Sequence, residues 1–468
     1  MIHKKFEGLY NDILHDPRIE KRVEKVMTDM FTFGKAVINK FCNTNTEKIG
    51  AYRMFSNESF SHEDLIRGTL KSCITSSRES EHLLCLQDTT ELNFTHHINR
   101  IGKGDKDIGP VTKDSNAGFY CHPMLIVDAQ DIMPIGFSYI KLWNRLWDKK
   151  SRHERIYQSQ RIEEKESYRW IDSALKTKEI LPNATMLTVI GDREADIYEE
   201  LALVPDKQTH LLIRSSINRR IKDSDKKLFE VLDSEEQKTT YELELKGNKK
   251  RKNRIAKMTL KYTKVKIQKP SKKNLQTYPD FIDLWAIEAR ELKETVPDKE
   301  DPVLWRLLTT HEINSNQDAL KYIGWYSKRW LIEELFRIIK SKGFEIESSQ
   351  LETGAALKKL LVLTLQSALL VMQLKLAMSI PHPVKADLSF TKHQIEFIAL
   401  LHKQIEGKTL KQQNPYPKKS LAWCAWLIAR LSGWSGYQTH GSPGYISLKN
   451  GLNIFHNKYD GYRIAMIY

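Results

Sequence analysis

The sequence is poor in cysteine, in long apolar runs and, over one stretch, in acid. Its five cysteines (Cys42, Cys73, Cys85, Cys121 and Cys424) are odd in number, widely spaced and include no CxxC pair. That excludes a disulfide scaffold and points to a reducing compartment. The start, Met1-Ile2-His3-Lys4-Lys5, runs into polar sequence without the apolar region of a secretory signal, so export is not expected. The longest apolar stretch, Leu360 to Met372, is broken by Thr364, Gln366 and Ser367. It falls short of the ~20 residues a membrane span needs, and no membrane partner is expected. What the chain has in surplus is positive charge: 74 Lys and Arg against 59 Asp and Glu, a net +15 over 468 residues. At 40% hydrophobic and 28% charged residues it reads as globular, and its length suits roughly three domains at ~150 residues each. The basic surplus makes nucleic acid the first partner to consider.

The surplus is concentrated. From Lys246 to Lys273, 28 residues hold 13 Lys or Arg and no Asp or Glu. Within it, Met258-Thr259-Leu260-Lys261-Tyr262 and Val265-Lys266-Ile267 alternate apolar and polar, which predicts strands with one buried face and a row of lysines outward. Two readings fit: a solvated hairpin, or a β-platform for phosphates. The lack of acid favours the platform, because ordinary solvated faces mix signs.

Residues 1 to about 60 read as helical, with Asp16 as an N-cap before Pro17. Arg18, Lys21, Arg22 and Lys25 make a basic face opposite Ile19, Val23 and Met27. From His82 short apolar runs take over, and strand-like runs dominate from His210 to Thr309. Two long helices are predicted over about 316–342 and 354–378, and Pro381 and Pro383 mark a boundary. The tail is helical again over Leu421 to Leu431. Its tryptophan-bearing run fits either a partner face or an internal core. The middle is α/β and the ends are α.

Two apolar runs end in a carboxylate: His82-Leu83-Leu84-Cys85-Leu86-Gln87-Asp88 and Met186-Leu187-Thr188-Val189-Ile190-Gly191-Asp192. A buried strand that ends in Asp presents that acid at the sheet's edge, where a ligand can reach it; the plainer reading is an Asp that caps a turn. Two such acids suggest a site for a hard divalent cation. Glu194 and Asp196, beside Asp192, are alternative ligands. Wound at about 100° per residue from Tyr326, the residues Arg329, Glu333, Arg337 and Lys340 fall in one stripe. Leu331, Ile332, Leu335, Phe336, Ile338 and Ile339 fall opposite. The stripe is either a set of i,i+4 ion pairs or a metal-ligating acid beside a phosphate clamp. His96-His97 and Cys121-His122 have no second pair at zinc-ligand spacing and read as structural.

These residues resemble the bacterial DDE transposases of the insertion-sequence-four family, most closely its transposon-five branch. Leu86-Gln87-Asp88-Thr89-Thr90 is similar to the family's first catalytic motif and Asp192-Arg193-Glu194-Ala195-Asp196-Ile197 to its second. Tyr326-x2-Arg329-x3-Glu333-x6-Lys340 reproduces its tyrosine-arginine-glutamate-lysine signature at full spacing. Asp16-Pro17-Arg18 and Gly50-Ala51-Tyr52-Arg53 look like its N-terminal domain, Lys250-Arg251-Lys252-Asn253-Arg254 like its β-insert, and Ile428-Ala429-Arg430-Leu431 with Gly433 like its C-terminal domain.

The resemblance implies an α/β, RNase H-like catalytic core over 61–380 with a β-rich insert at about 205–310. Helical domains at 1–60 (DNA-end binding) and 381–468 (dimerisation) would flank it. It implies cut-and-paste transposition through a hairpin intermediate and strand transfer of a 3′-hydroxyl. Asp88, Asp192 and Glu333 are the expected catalytic and metal-ligating acids, holding two Mg²⁺ ions with Mn²⁺ as a substitute. Tyr326, Arg329, Lys340, Trp305, Arg214, Arg337, Lys250, Arg251, Lys252 and Arg254 are the expected DNA contacts, with Trp305 stacking on a flipped base. The implied partners are double-stranded DNA, as terminal repeats and target, and a second copy of the chain. The implied setting is the bacterial cytoplasm. A nuclease sharing the same acids, a non-catalytic derivative and a two-carboxylate glycosidase are the rival readings; the last does not explain the basic insert.

Overall fold

The computed structural model describes residues 2–112, 115–147, 160–245, 253–271, 275–298, 300–341, 343–380, 382–437 and 441–466. Lys250, Arg251 and Lys252 lie outside these residues. Helices α1 (Pro17–Phe33), α2 (Ile38–Phe41), α3 (Asn45–Phe55) and α4 (His62–Ser76) precede strand β1 (His82–Gln87). Next come β2 (Thr90–Asn93), α5 (Ile98–Ile101), β3 (Gly109–Pro110), β4 (Ala117–Asp128) and β5 (Pro134–Trp143). An alternating run follows: α6 (Tyr168–Ile180), β6 (Met186–Gly191), α7 (Tyr198–Leu203) and β7 (Thr209–Arg214). Helix α8 (Leu228–Ser234) leads into β8 (Thr239–Leu245), β9 (Arg254–Gln268), β10 (Phe281–Glu291) and β11 (Leu304–Thr309). Then come α9 (Asn316–Lys328), α10 (Trp330–Lys340), α11 (Gly354–Ala377), α12 (Lys392–Ile405), α13 (Leu421–Leu431) and α14 (Tyr445–Ala465).

The chain divides into two compact units. One comprises Met1–Glu79, Thr89–Lys149 and Leu331–Tyr468; the other comprises Ser80–Asp88 and Lys150–Trp330. The helical ends of the sequence thus share a unit. At its centre is α11, whose residues are almost all buried, with α1, α4, α13 and α14 packed against it. This helix has the length and apolar composition to cross a membrane, longer than the broken run in the sequence suggests, yet it is buried in its own unit. The tryptophan-bearing run on α13 is likewise internal: Trp423 is 2% exposed and Trp426 1%. Local chemistry starts α1 as anticipated, since the Arg18 N–H donates to the Asp16 carboxylate at 2.8 Å and Val23 and Met27 are buried. In the same unit β2, β3 and β5 all pair with β4 in antiparallel fashion.

The second unit is built on a sheet of order β1-β6-β7-β11-β10-β9-β8. Strands β1, β6 and β7 are parallel, as a β-α-β alternation demands, and the rest are antiparallel. The strand-rich stretch of the sequence therefore extends the same sheet. Its acid-free basic segment is acid-free only along the chain. The register sets Lys266 opposite Asp283 and Lys261 opposite Glu288 on β10, and Lys257 opposite Glu242 on β8. Lys264 pairs with Glu312 at 3.3 Å, Lys269 with Asp280 at 2.8 Å, and Arg254 with the buried Glu291.

A histidine cluster lies in this sheet. His82 and His311 each place Nε2 2.8 Å from Thr188 Oγ1, and His311 stacks on His210 with ring centroids 4.0 Å apart. Burial, with His210, His82 and Lys321 adding, pushes His311 down to about 2. Below the ordinary histidine value the unfolded chain takes up a proton that the folded chain refuses. The folded state then loses about 1.4 kcal/mol per pH unit as pH falls through this window. His311→Gln is expected to reduce the fall in unfolding free energy between about pH 7.5 and about pH 5 by about 2 kcal/mol. Urea titrations at both pH values measure it, and equal slopes in the two proteins would count against this account.

Candidate active site

The parallel register of β1 and β6 builds the candidate site. Leu86 pairs with Ile190, and Asp88 and Asp192 each stand two residues further along. The two carboxylates therefore leave the sheet level with one another, at the same end of adjacent strands that lie about 4.8 Å apart. Gly191, just before Asp192, is required by close approach: a β-carbon there would meet Ala195 Cβ at 2.4 Å. The Glu194 N–H donates to Asp192 Oδ1 at 2.8 Å and fixes the turn that follows.

Asp88 is held by Arg329, whose Nη1–H donates to its Oδ2 at 3.0 Å. Both side chains are largely buried, so the pair is worth more than a solvated surface bridge. Arg329 begins a line of groups in the same unit. Tyr326 is buried; desolvation raises its phenol, against hydrogen bonds and charge from Arg329 and Arg214. The ring of Trp305 stands edge-on to Tyr326 with centroids 5.6 Å apart, and Arg214 donates to the Leu304 carbonyl at 3.0 Å. Five residues named from sequence (Asp88, Arg329, Tyr326, Arg214 and Trp305) are thus linked by contact.

The long helix anticipated over 316–342 is two helices. The Arg329 N–H bonds to the Tyr326 carbonyl, one residue short of the α-helical partner, and α9 ends there. Its start is capped, with the Asp318 N–H donating to Ser315 Oγ at 3.3 Å. The break is also where the units divide, so Glu333, Arg337 and Lys340 belong to the unit with α11. The apolar face of α10 is as the sequence indicates: Ile332, Leu335, Phe336, Ile338 and Ile339 are buried. On its other side Arg337 donates to Glu334 at 2.9 Å. Lys340 stands 3.9 Å from Glu347, and burial lowers its pKa. Arg254, another expected DNA contact, is engaged internally as well, paired with Glu291 and bonded to the Thr295 carbonyl.

The neighbours of Asp192 divide clearly. Asp196 is wholly buried and committed. Its Oδ1 accepts from Arg219 Nη2 at 2.6 Å and Nε at 3.0 Å, and its Oδ2 accepts from the N–H groups of Ser216 and Ile217. Glu194 pairs with Arg169 at 2.6 Å. Asp192 is left as the acid at the strand end. Arg219 could not be picked from sequence, because it lies 23 residues from Asp196 with no periodic or motif link. His122 is fully buried with Nδ1 2.9 Å from Thr89 Oγ1, and His97 Nε2 is 3.2 Å from the Glu347 carbonyl oxygen.

No group of three or more His, Cys, Asp and Glu side chains is clustered to hold a metal among the described residues. The donor chemistry at the strand ends is nonetheless of the right kind. Two carboxylates side by side are oxygen donors, which hard divalent ions require, and a guanidinium already supplies positive charge to one of them.

Residues 173–370 match the family model described as a transposase DDE domain. The match contains Asp192, Trp305, Tyr326, Arg329, Glu333 and Lys340, while Asp88 precedes it. Over that stretch the chain is similar to the DDE transposases, and the likeness, together with paired carboxylates at adjacent strand ends, supports a transposase.

Proposed function

We propose that this chain is a cut-and-paste DNA transposase. The observation that carries the reading is the level placement of Asp88 and Asp192 at the ends of β1 and β6, with Arg329 bonded to Asp88. On this reading Asp88, Asp192 and Glu333 hold two Mg²⁺ ions, or Mn²⁺ in their place. When bound, such a pair supplies charge stabilisation on the attacking and leaving oxygens of an in-line displacement. The chain's own residues do the positioning. Arg329 leaves Asp88 to take a phosphate oxygen, for which its planar fork is suited. Tyr326 and Arg214 orient that guanidinium, and Lys340 adds a point charge. Trp305 offers an indole face to a base turned out of the duplex.

Water attacks a phosphodiester at the transposon end, breaking its P–O3′ bond and freeing a 3′-hydroxyl. That hydroxyl attacks a phosphodiester of the opposite strand, expelling the flanking DNA's 3′-oxygen and giving a hairpin; a second water breaks the hairpin's new P–O3′ bond and restores the 3′-hydroxyl, which finally attacks a target phosphodiester and expels the target's 3′-oxygen. A second copy of the chain brings the two ends together. The test is to incubate the purified protein with the inverted-repeat end of its element and Mg²⁺, resolving nicked, hairpin, flush and strand-transfer products. All four are expected. Nicks without hairpin or strand transfer would favour a plain nuclease and overturn the proposal.

A further inference from the structure

We propose that Glu200 is a positioning residue for this centre: acting through Gln87, it fixes the end of β1 and with it the direction of the Asp88 carboxylate. The inference rests on the reading of Asp88 and Asp192 given above. Gln87 is the last residue of β1, immediately before Asp88, and is wholly buried. Its Nε2–H donates to Glu200 Oε1 at 3.0 Å, and its Oε1 accepts from Ser173 Oγ at 2.5 Å. Ser173 lies on α6 and Glu200 on α7, so a single side chain ties the strand end to two helices. Gln87 also lies against the other strand end. A β-carbon on Gly191, the residue before Asp192, would come within 3.8 Å of Gln87 Nε2. The residues directly behind both aspartates therefore meet at one amide.

Packing alone does not account for Glu200. Its carboxyl is fully buried, and Oε2 has no hydrogen-bond partner among the described residues. An unsatisfied buried acceptor costs about 1–3 kcal/mol, which a leucine or methionine at this place would avoid. Burial, with Asp196 and Asp192 adding and the Gln87 bond opposing, pushes the carboxyl well above its usual range. Glu200 thus offers the Gln87 amide a buried acceptor oxygen directly behind the strand end. A strand end so held keeps Asp88 from rotating away when Arg329 exchanges it for another partner.

The test uses the full chain, with Mn²⁺ affinity by electron paramagnetic resonance beside nicking of end DNA. Glu200→Ala is expected to weaken Mn²⁺ binding about 10-fold and lower kcat about 10–100-fold, with KM for DNA within about 2-fold. Glu200→Gln, which keeps an acceptor oxygen for the Gln87 amide, should stay within about 3-fold of the unaltered protein on both measures. Gln87→Glu alone should fail, and the exchanged pair Gln87→Glu/Glu200→Gln should recover at least about 10-fold of the loss. The inference is overturned if Glu200→Ala binds Mn²⁺ and nicks normally. It is also overturned if Glu200→Gln falls as far as Glu200→Ala at an unchanged unfolding midpoint. If the unaltered protein binds Mn²⁺ but never nicks DNA, the functional reading fails, and the Mn²⁺ series still judges Glu200.

Discussion

Asp192→Asn is expected to fold and bind end DNA as the unaltered protein does while nicking at least about 10³-fold more slowly, a loss of about 4 kcal/mol in transition-state stabilisation. The amide keeps the shape of the side chain, and its oxygen still accepts the Glu194 N–H that fixes the turn. What it loses is the negative charge and the oxygen pair at the end of β6. Glu194→Gln is the control: that acid is paired with Arg169, and its variant should nick within about 10-fold of normal, in keeping with a charge that lies off the centre. Single-turnover nicking, with DNA affinity measured separately, decides the matter. Equal losses for the two variants would remove Asp192 from its assigned place.

The second large effect concerns folding. Arg219→Ala is expected to destabilise the protein by about 3–5 kcal/mol, because it strands the carboxylate of Asp196 in a dry site. That acid is 0% exposed by side chain and Arg219 5%, and the guanidinium also bonds the Asp196 carbonyl oxygen at 2.7 Å. Arg219→Met/Asp196→Leu should cost much less than Arg219→Ala, since a buried pair replaced by apolar groups of similar volume carries no uncompensated charge. Denaturant titration measures both. A loss under about 1 kcal/mol for Arg219→Ala would show that the pair does not anchor the segment after β6. The two experiments also separate two acids four residues apart, one proposed for chemistry and one held in a buried ion pair.

Several features were legible in the residues because their causes are local. A side chain immediately before a helix caps it by accepting an N–H two or three positions on, so Asp16 before Pro17 could be recognised at once. An apolar run that stops at an acid marks a strand end, so Asp88 and Asp192 stood out. The 3.6-residue period gave the buried face of α10. Other features have non-local causes. The break at Arg329 does not follow from propensity, since no Gly or Pro stands there. Which acids stand opposite the basic strand residues depends on register with β8 and β10, and no spacing along the chain encodes that register.

By itself the sequence determined the kinds of chemistry available: two strand-ending aspartates, a Tyr-Arg-Glu-Lys series and a surplus of positive charge. It also determined the local elements that carry them. Only the tertiary structure decided among equivalents. It committed Asp196 to Arg219 and left Asp192 at the strand end. It buried the tryptophans of α13 in the core of their own unit, and it set acids from neighbouring strands against a segment that has none. The physical reason is the same in each case. Periodicity and capping act over a few residues, whereas burial and ion pairing depend on which distant segments come together, and a charge finds its partner through space.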